Sequence, residues 1–363
     1  MKGLAVCNKG IEDVTALDVH ELISQKSESG AGFVTFEIAS HADLCKLSYW
    51  GQCVSKVMLV LDEYSFDSFD ELSEKIKKNS VETWLTPGRT FRVDVSTHDE
   101  VSTQDLREII GGVLVDAGTK AEVKLANPDV LVHIFLSGKK AFLGIDFSGI
   151  DLSKRVYRVY SNPRGIKSTL AYALVRLTGY TGKETLVDPF CLVGSIPIEA
   201  ALWACKHPAR FFNREELAFL KFMTYEFEKP SEKETTIIAI DSQFRNVDSA
   251  KKNAKIAGVH KFIQFSRQDV EWLDVKYTEG ELGLIATCLP TLTKEAHTQV
   301  YLKIIKEFFH QAEYVLAKKG KIALLTKNPD VVKKEAAAKG FKVSEERKVW
   351  QGKEEISLLV FGR

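Results

Sequence analysis

Asp188-Pro189-Phe190-Cys191-Leu192-Val193-Gly194-Ser195 decides how this chain is read. It follows the short apolar run Leu186-Val187 and precedes a helix-like stretch from Ile196 to Cys205. An acidic strand end, a turn containing glycine and a helix start are how a doubly wound α/β sheet builds a ligand crevice. Outward from this stretch, strands are predicted at 184–188, 235–241, 261–266, 282–288 and 321–326. Helices are predicted between them at 168–180, 195–206, 244–257, 295–318 and 328–339. In the longest, Val300, Ile304, Phe308 and Ala312 share a stripe with Ile305 and Phe309 beside it, the pattern of a helix packed on a sheet. Phe341 to Trp350 and Glu354 to Phe361, joined across Gln351-Gly352, read as a terminal hairpin.

Toward the N-terminus, residues 1–60 alternate short apolar runs (Gly3 to Val6, Gly32 to Ile38) with helix-like segments, the pattern of a small α+β unit. Phe91 to Val95 alternates as a half-buried strand does. Ser102-Thr103-Gln104-Asp105 has capping-box spacing and opens a helix carrying Leu106, Ile109, Ile110, Val113 and Leu114 on one face, with Gly118 as its stop. Val123 and Leu125 alternate again. Asn127-Pro128-Asp129 then turns the chain into Val130 to Phe135, and Gly138-Lys139 returns it through Ala141 to Ile145.

Bulk properties narrow the classes. At 363 residues the chain has room for two or three domains, and 45% hydrophobic with 27% charged residues excludes disordered and coiled-coil types. A net charge of +1 leaves local basic patches to decide whether nucleic acid is a partner. The six cysteines (7, 45, 53, 191, 205 and 288) form no C-x-x-C pair, which argues against structural zinc and fits reduced thiols. His207, His260, His297 and His310 have no metal-ligand spacing, so no metal is expected. Without a signal sequence or a membrane-length apolar run, a soluble cytoplasmic protein with no membrane partner is the expectation.

The stretch from Asp188 resembles motif I of RNA methyltransferases that read Asp-Pro-Phe-Cys-Gly-Ser-Gly-Thr and bind S-adenosylmethionine. The strand, helix, strand, turn and hairpin order upstream resembles the THUMP domain of tRNA-modifying enzymes. Asn127-Pro128-Asp129-Val130, Gly144-Ile145-Asp146, Gly149 and Leu152-Ser153-Lys154-Arg155-Val156-Tyr157-Arg158 carry that likeness. The chain is thereby identified as a member of the THUMP-containing class I (Rossmann-like) tRNA guanosine-N2 methyltransferase family. The resemblance implies a multidomain α/β and α+β chain: a ferredoxin-like unit at 1–60, a THUMP-like RNA-binding domain at 61–160 and a methyltransferase-like domain with a seven-stranded sheet at 161–363. It implies a cofactor site of Asp188, Phe190 and Gly194, with Asp241 on the ribose hydroxyls and Asp269 at the adenine amine. The competing reading of Asp241 and Asp269 is a helix N-cap.

Two departures bear on activity. Leu192-Val193 replaces Gly-Ser in the turn, and a leucine held in a left-handed conformation costs about 1–2 kcal/mol. The family's Asn/Asp-Pro-Pro-Tyr/Phe aims the guanine amine with an oxygen acceptor and stacks the extruded base on the aromatic. Here Cys288-Leu289-Pro290-Thr291 keeps only Pro290; Cys288 is a weak acceptor and Thr291 cannot stack. A nucleophilic role for Cys288 would need a lowered pKa, and it has no His or basic neighbour in sequence.

Arg155, Arg158, Arg164 and Lys167, interleaved with Tyr157 and Tyr160, form the expected RNA contact, to which Lys139 and Lys140 would add. Two readings follow. One is a tRNA-binding, catalytically decayed relative with cofactor binding weak or lost, positioning RNA for an active methyltransferase subunit or a small zinc-containing activator. The alternative is an active S-adenosylmethionine-dependent tRNA (guanine-N2) methyltransferase with a divergent site. A third class, an RNA-independent scaffold, requires the basic stretch to be idle.

Overall fold

A computed structural model describes residues 1–291 and 298–363. His297 and the start of the expected 295–318 helix lie outside the described residues. Contacts divide the chain into two compact units, Met1–Leu152 with Asn213–Glu228, and Ser153–Phe212 with Lys229–Arg363.

The first unit opens with β1 (Lys2–Cys7), α1 (Glu12–Ile23), β2 (Ser27–Gly30), β3 (Phe33–Glu37), α2 (His41–Trp50) and β4 (Val54–Ser65), the βαββαβ order of a ferredoxin-like fold. It continues with α3 (Phe69–Ile76), β5 (Thr90–Thr97), α4 (Thr103–Asp116), β6 (Glu122–Val123), β7 (Val130–Ser137) and β8 (Lys140–Asp146). One sheet in the order β2-β3-β1-β4-β8-β7-β5-β6 takes in all eight strands. The join is β4, whose Met58 stands opposite Asp146 of β8, and residue 60 falls inside this strand.

In α4 the Ser102 side chain accepts the Asp105 amide at 3.5 Å, and Gly118 takes φ +86° beyond the helix end. Leu106, Ile110 and Leu114 are buried, while Ile109 is 47% exposed, so the apolar stripe is narrower than its sequence pattern. Val123 and Leu125 are exposed as well. Val123 ends a two-residue edge strand and Leu125 lies beyond it, so the predicted alternation extends past the paired residues. The returning segment 213–228 adds Phe219, Tyr225 and Phe227, whose rings pack with one another and with Tyr49 of α2.

The second unit runs α5 (Ser168–Leu177), β9 (Leu186–Asp188), α6 (Ser195–Ala204), β10 (Ile237–Asp241), α7 (Phe244–Ile256), β11 (Ile263–Arg267), α8 (Leu273–Lys276), β12 (Leu282–Cys288), α9 (Thr298–Val315), β13 (Leu316–Thr326), α10 (Pro329–Ala338), β14 (Lys342–Gln351) and β15 (Glu354–Gly362). Its seven-stranded sheet, β11-β10-β9-β12-β13-β15-β14, joins the first five strands in parallel and closes with an antiparallel hairpin. Strand order reverses at β9, between β10 and β12, which is where open α/β sheets leave a crevice beyond their carboxyl ends.

Helix α9 buries Tyr301, Ile305, Phe308, Phe309, Ala312 and Val315 against the sheet. Val300 is 57% exposed, so the expected Val300–Ile304 part of the stripe is corrected: the buried face is rotated by one position. No helix among the described residues is long and apolar enough to cross a membrane.

Arg155 and Tyr157, expected at an RNA surface, are instead inside the second unit. Arg155 Nε and Nη2 donate to the two carboxylate oxygens of Glu199 on α6 at 2.9 and 3.1 Å, and both side chains are fully buried. Tyr157 Oη donates to Glu199 Oε1 at 2.8 Å and lies 3.0 Å from Ser168 Oγ on α5. The linker's first arginine and first tyrosine thus tie the chain to two helices and cannot reach a phosphate. Breaking a buried pair leaves an uncompensated charge, so Glu199→Ala should lower the stability of this unit by about 3–5 kcal/mol in urea unfolding. Replacing Arg155 and Glu199 together by Met and Leu should recover most of that loss.

Candidate functional site

The reversal at β9 opens a cavity of about 530 Å³. Its floor is the turn Asp188 to Ser195. The strand ends of β10 and β12, the 269–271 segment, the Arg164–Ile166 loop and α9 residues Val300, Lys303 and Ile304 complete the lining. Asp188, Phe190, Asp241, Asp269, Cys288 and Pro290 are all brought to this one cavity. Val300 and Ile304, read from sequence as core, line its wall.

Asp188 ends β9 and is buried. Its Oδ1 accepts Thr287 Oγ1 at 2.7 Å and the Phe190 amide at 3.2 Å. Loss of water pushes its carboxyl up to about 7, and nearby Asp241 adds to the rise. The Phe190 ring leans on Phe308 of α9 with centroids 5.7 Å apart.

Leu192 takes φ +49°, the conformation a glycine would adopt without strain. Its amide donates to Asp241 Oδ2 at 3.0 Å. A hydrogen bond to a charged group contributes about 1.5–3 kcal/mol, enough to offset the roughly 1–2 kcal/mol of left-handed strain. The turn therefore keeps the glycine path and does not find another. Gly194 has φ +86°, and a Cβ there would stand 2.9 Å from Ala250 Cβ on α7, so glycine is needed both for the turn and for helix packing. Gly194 is thus beneath the cavity and not among its lining residues.

Asp241 is more occupied than a free ribose acceptor would be. Beyond Leu192, its Oδ1 accepts the Gln243 amide and Asn246 Nδ2, each at 2.9 Å. Asp269 is exposed and caps the 270–272 turn, its Oδ1 3.4 Å from the Glu271 amide. It is a cap and a cavity residue at once.

At the end of β12, Cys288 is pushed up to about 12 by burial, with Asp188 adding to the rise, so it stays a thiol and offers no nucleophile at neutral pH. Leu289 is buried in the core, its amide donating to Leu325 O. Pro290 and Thr291 line the cavity. From Cys288 to Thr291 there is no carboxamide or carboxylate oxygen and no aromatic ring.

The donor set can be matched to S-adenosylmethionine. The nucleoside half finds acceptors in Asp241 and Asp269, and Ser195 Oγ at the start of α6 is buried, lines the cavity and has no hydrogen-bond partner. In the turn half, Leu192 lines the space that a glycine leaves open.

Arg164 is exposed on a turn in which its amide donates to Asn162 Oδ1 at 3.0 Å. Arg158 is half-buried beneath that turn, its Nη2 3.0 Å from where a Cβ on Gly165 would sit. Lys167 is half-buried at the N-cap of α5, and its amide donates to Gln351 Oε1. His207, His260 and His310 do not converge; among the described residues no three His, Cys, Asp or Glu side chains could hold a metal ion.

A family model described as an RMKL-like methyltransferase domain matches residues 155–355, and a THUMP domain model matches 66–146. The putative RNA methyltransferase YpsC of Bacillus subtilis is 31% identical over 287 residues, 74% of each chain. A tRNA (guanine(6)-N2)-methyltransferase of Methanocaldococcus jannaschii is 27% identical over 327 residues, 85% of each. Among solved structures, SMU.472, a putative methyltransferase complexed with SAH, superposes with a TM-score of 0.81 at 20% identity over 100% of this chain and 98% of that one. A possible methylase from Clostridium difficile 630 gives 0.80 at 24% over 99% and 97%.

The raised Asp188 carboxyl has a consequence for stability. Its proton is held more tightly in the folded chain than at the ordinary value of 3.8, so its contribution is complete below pH 4 and is lost as pH rises through about 7. The whole effect is at most about 4 kcal/mol. Asp188→Asn should remove this slope: the stability difference between variant and parent, measured by urea unfolding from pH 4 to 8, should shift toward the variant as pH rises.

Proposed function

Since the chain belongs to the RMKL-like methyltransferase family and carries a THUMP domain, we propose that it binds tRNA and positions it, with its own methyl-transfer centre decayed. The family fold is one that binds S-adenosylmethionine, and the Methanocaldococcus jannaschii relative is named as a tRNA methyltransferase. One observation carries the decayed reading. The cavity wall where an amine acceptor and a stacking ring belong is built from Cys288, Leu289, Pro290 and Thr291.

Loss of a positioned hydrogen-bond partner in a transition state is worth about 3 kcal/mol, and loss of base stacking roughly 1–3 kcal/mol more. Together they correspond to at least a thousandfold in rate, before any weakening of the cofactor site is considered. Leu192 in the turn supports weak cofactor binding. In this reading the RNA is delivered to an active methyltransferase subunit or is held with a small activator protein, in the cytoplasm.

A second reading has its own support. The cavity is open, Asp241 and Asp269 remain in it, and Ser195 Oγ has an unmet hydrogen bond. An active enzyme would use these groups for the cofactor and a backbone carbonyl near Pro290 for the amine.

Tritiated S-adenosylmethionine with unmodified host tRNA separates the two. The purified protein should give no guanosine-N2 methylation above background; turnover by the protein alone, abolished by Asp188→Ala, would establish the second reading. Calorimetry should place S-adenosylmethionine binding weaker than about 10 μM, roughly −7 kcal/mol. Leu192→Gly with Val193→Ser should tighten it measurably.

A further inference from the structure

Beside the cavity lies a second groove of about 500 Å³ that shares Arg164, Val193, Gln243 and Asn246 with it. The groove also takes in Tyr160, Arg245 and Lys252. We infer that this groove seats a single-stranded RNA segment, with a base stacked on Tyr160 and its flanking phosphates on Arg164 and Arg245. The inference rests on the RNA-binding reading above and gives that reading a location.

Three observations point to a nucleotide strand. The first is the aromatic platform. Tyr160 is 41% exposed, and its backbone is held in place by Asn253 of α7, a fully buried side chain. Asn253 Oδ1 accepts the Tyr160 amide at 3.0 Å, and its Nδ2 donates to Tyr160 O at 3.0 Å and to Val193 O at 2.9 Å. An exposed ring on a rigid backbone loses little freedom when a base stacks on it, and such stacking tolerates any base.

The second is charge. Arg164 and Arg245 are exposed, and neither guanidinium is in an ion pair among the described residues. Lys252 lies 5.1 Å from the Tyr160 ring centroid and pairs with Asp248, the one carboxylate in the groove, at 2.7 Å. With that acid neutralised, the two arginines are left for phosphates, whose oxygens they meet in bidentate fashion. An acidic peptide would meet the same arginines but would gain nothing from the ring.

The third is continuity. The shared residues put the groove directly beside the cavity, whose wall at Cys288–Thr291 is where the resemblance places the target base. A strand lying on Tyr160 therefore runs alongside that opening, as a nucleotide flanking the extruded one must.

The test uses the full chain with unmodified tRNA transcripts in fluorescence anisotropy from 50 to 200 mM salt. Arg164→Ala with Arg245→Ala should weaken binding by tenfold or more at low salt and flatten the log–log salt slope by about two, near 0.9 per lost phosphate contact. Tyr160→Ala should weaken it about tenfold with the slope unchanged, and Tyr160→Phe should restore parental affinity. Photocrosslinking with 4-thiouridine-substituted tRNA should label the peptide containing Tyr160. Parental affinity and slope in all three variants, with crosslinks elsewhere, would overturn the groove while leaving RNA binding intact. Absence of tRNA binding by the parent protein would overturn both. Circular dichroism of each variant guards the comparison, and should Tyr160→Ala misfold, the arginine pair and the crosslink still decide.

Discussion

The carboxamide of Asn253 bonds to backbone atoms of two loops that are distant in sequence. One is the turn between β9 and α6; the other is the segment that leads from the linker toward α5. Both loops need an anchor, because neither is part of a ladder and each borders open space. A carboxamide is suited to this because it offers an acceptor and two donors in one plane. At a fully buried position every unmade bond would carry a desolvation penalty, so the side chain and both loops are held together or not at all. The α7 helix thereby sets the geometry of the cavity floor and of the groove beside it.

Asp241 is a second tie from the same region. Its two oxygens receive an amide from the turn, an amide from the start of α7 and the Asn246 carboxamide. A carboxylate has about four lone-pair positions, so room for a ligand hydroxyl is reduced without being closed. Leu192 holds its strained conformation through this same carboxylate. The strained residue of the turn and the buried carboxylate at the end of β10 thus satisfy each other.

Much of this was legible in the residues. The apolar runs and their spacing placed the strands of the second sheet, because parallel strands buried on both faces must be apolar throughout. Acids at strand ends marked Asp188 and Asp241, and the family resemblance marked Asp269. The basic linker read less well. Arg155 and Arg158 look alike in sequence, yet Arg155 meets Glu199, a partner 44 residues away that only the tertiary fold brings near. Exposure of a charge is set by that pairing, not by its neighbours. Val300 and Ile304 read as core from the sequence because a helical stripe one position off has almost the same periodicity. Arg245 carries no motif of its own and lines the groove only because it stands in the first turn of α7. The unmet hydrogen bond of Ser195 has no sequence signal.

The path of the chain between its two units also matters. Residues 213–228 return to the first unit after the second has begun, and the chain resumes the second unit at Lys229. The backbone therefore crosses three times, and no single cut yields two whole folding units. A fragment ending near residue 152 would lack the segment that supplies Phe219, Tyr225 and Phe227 to the rings around Tyr49. A fragment beginning at 153 would carry that aromatic segment with nothing to cover it. During synthesis the first unit has to wait, incomplete, until the ribosome has passed residue 228. Completion of the first unit is for this reason tied in time to synthesis of the second, and a chain truncated before residue 228 leaves the rings around Tyr49 uncovered.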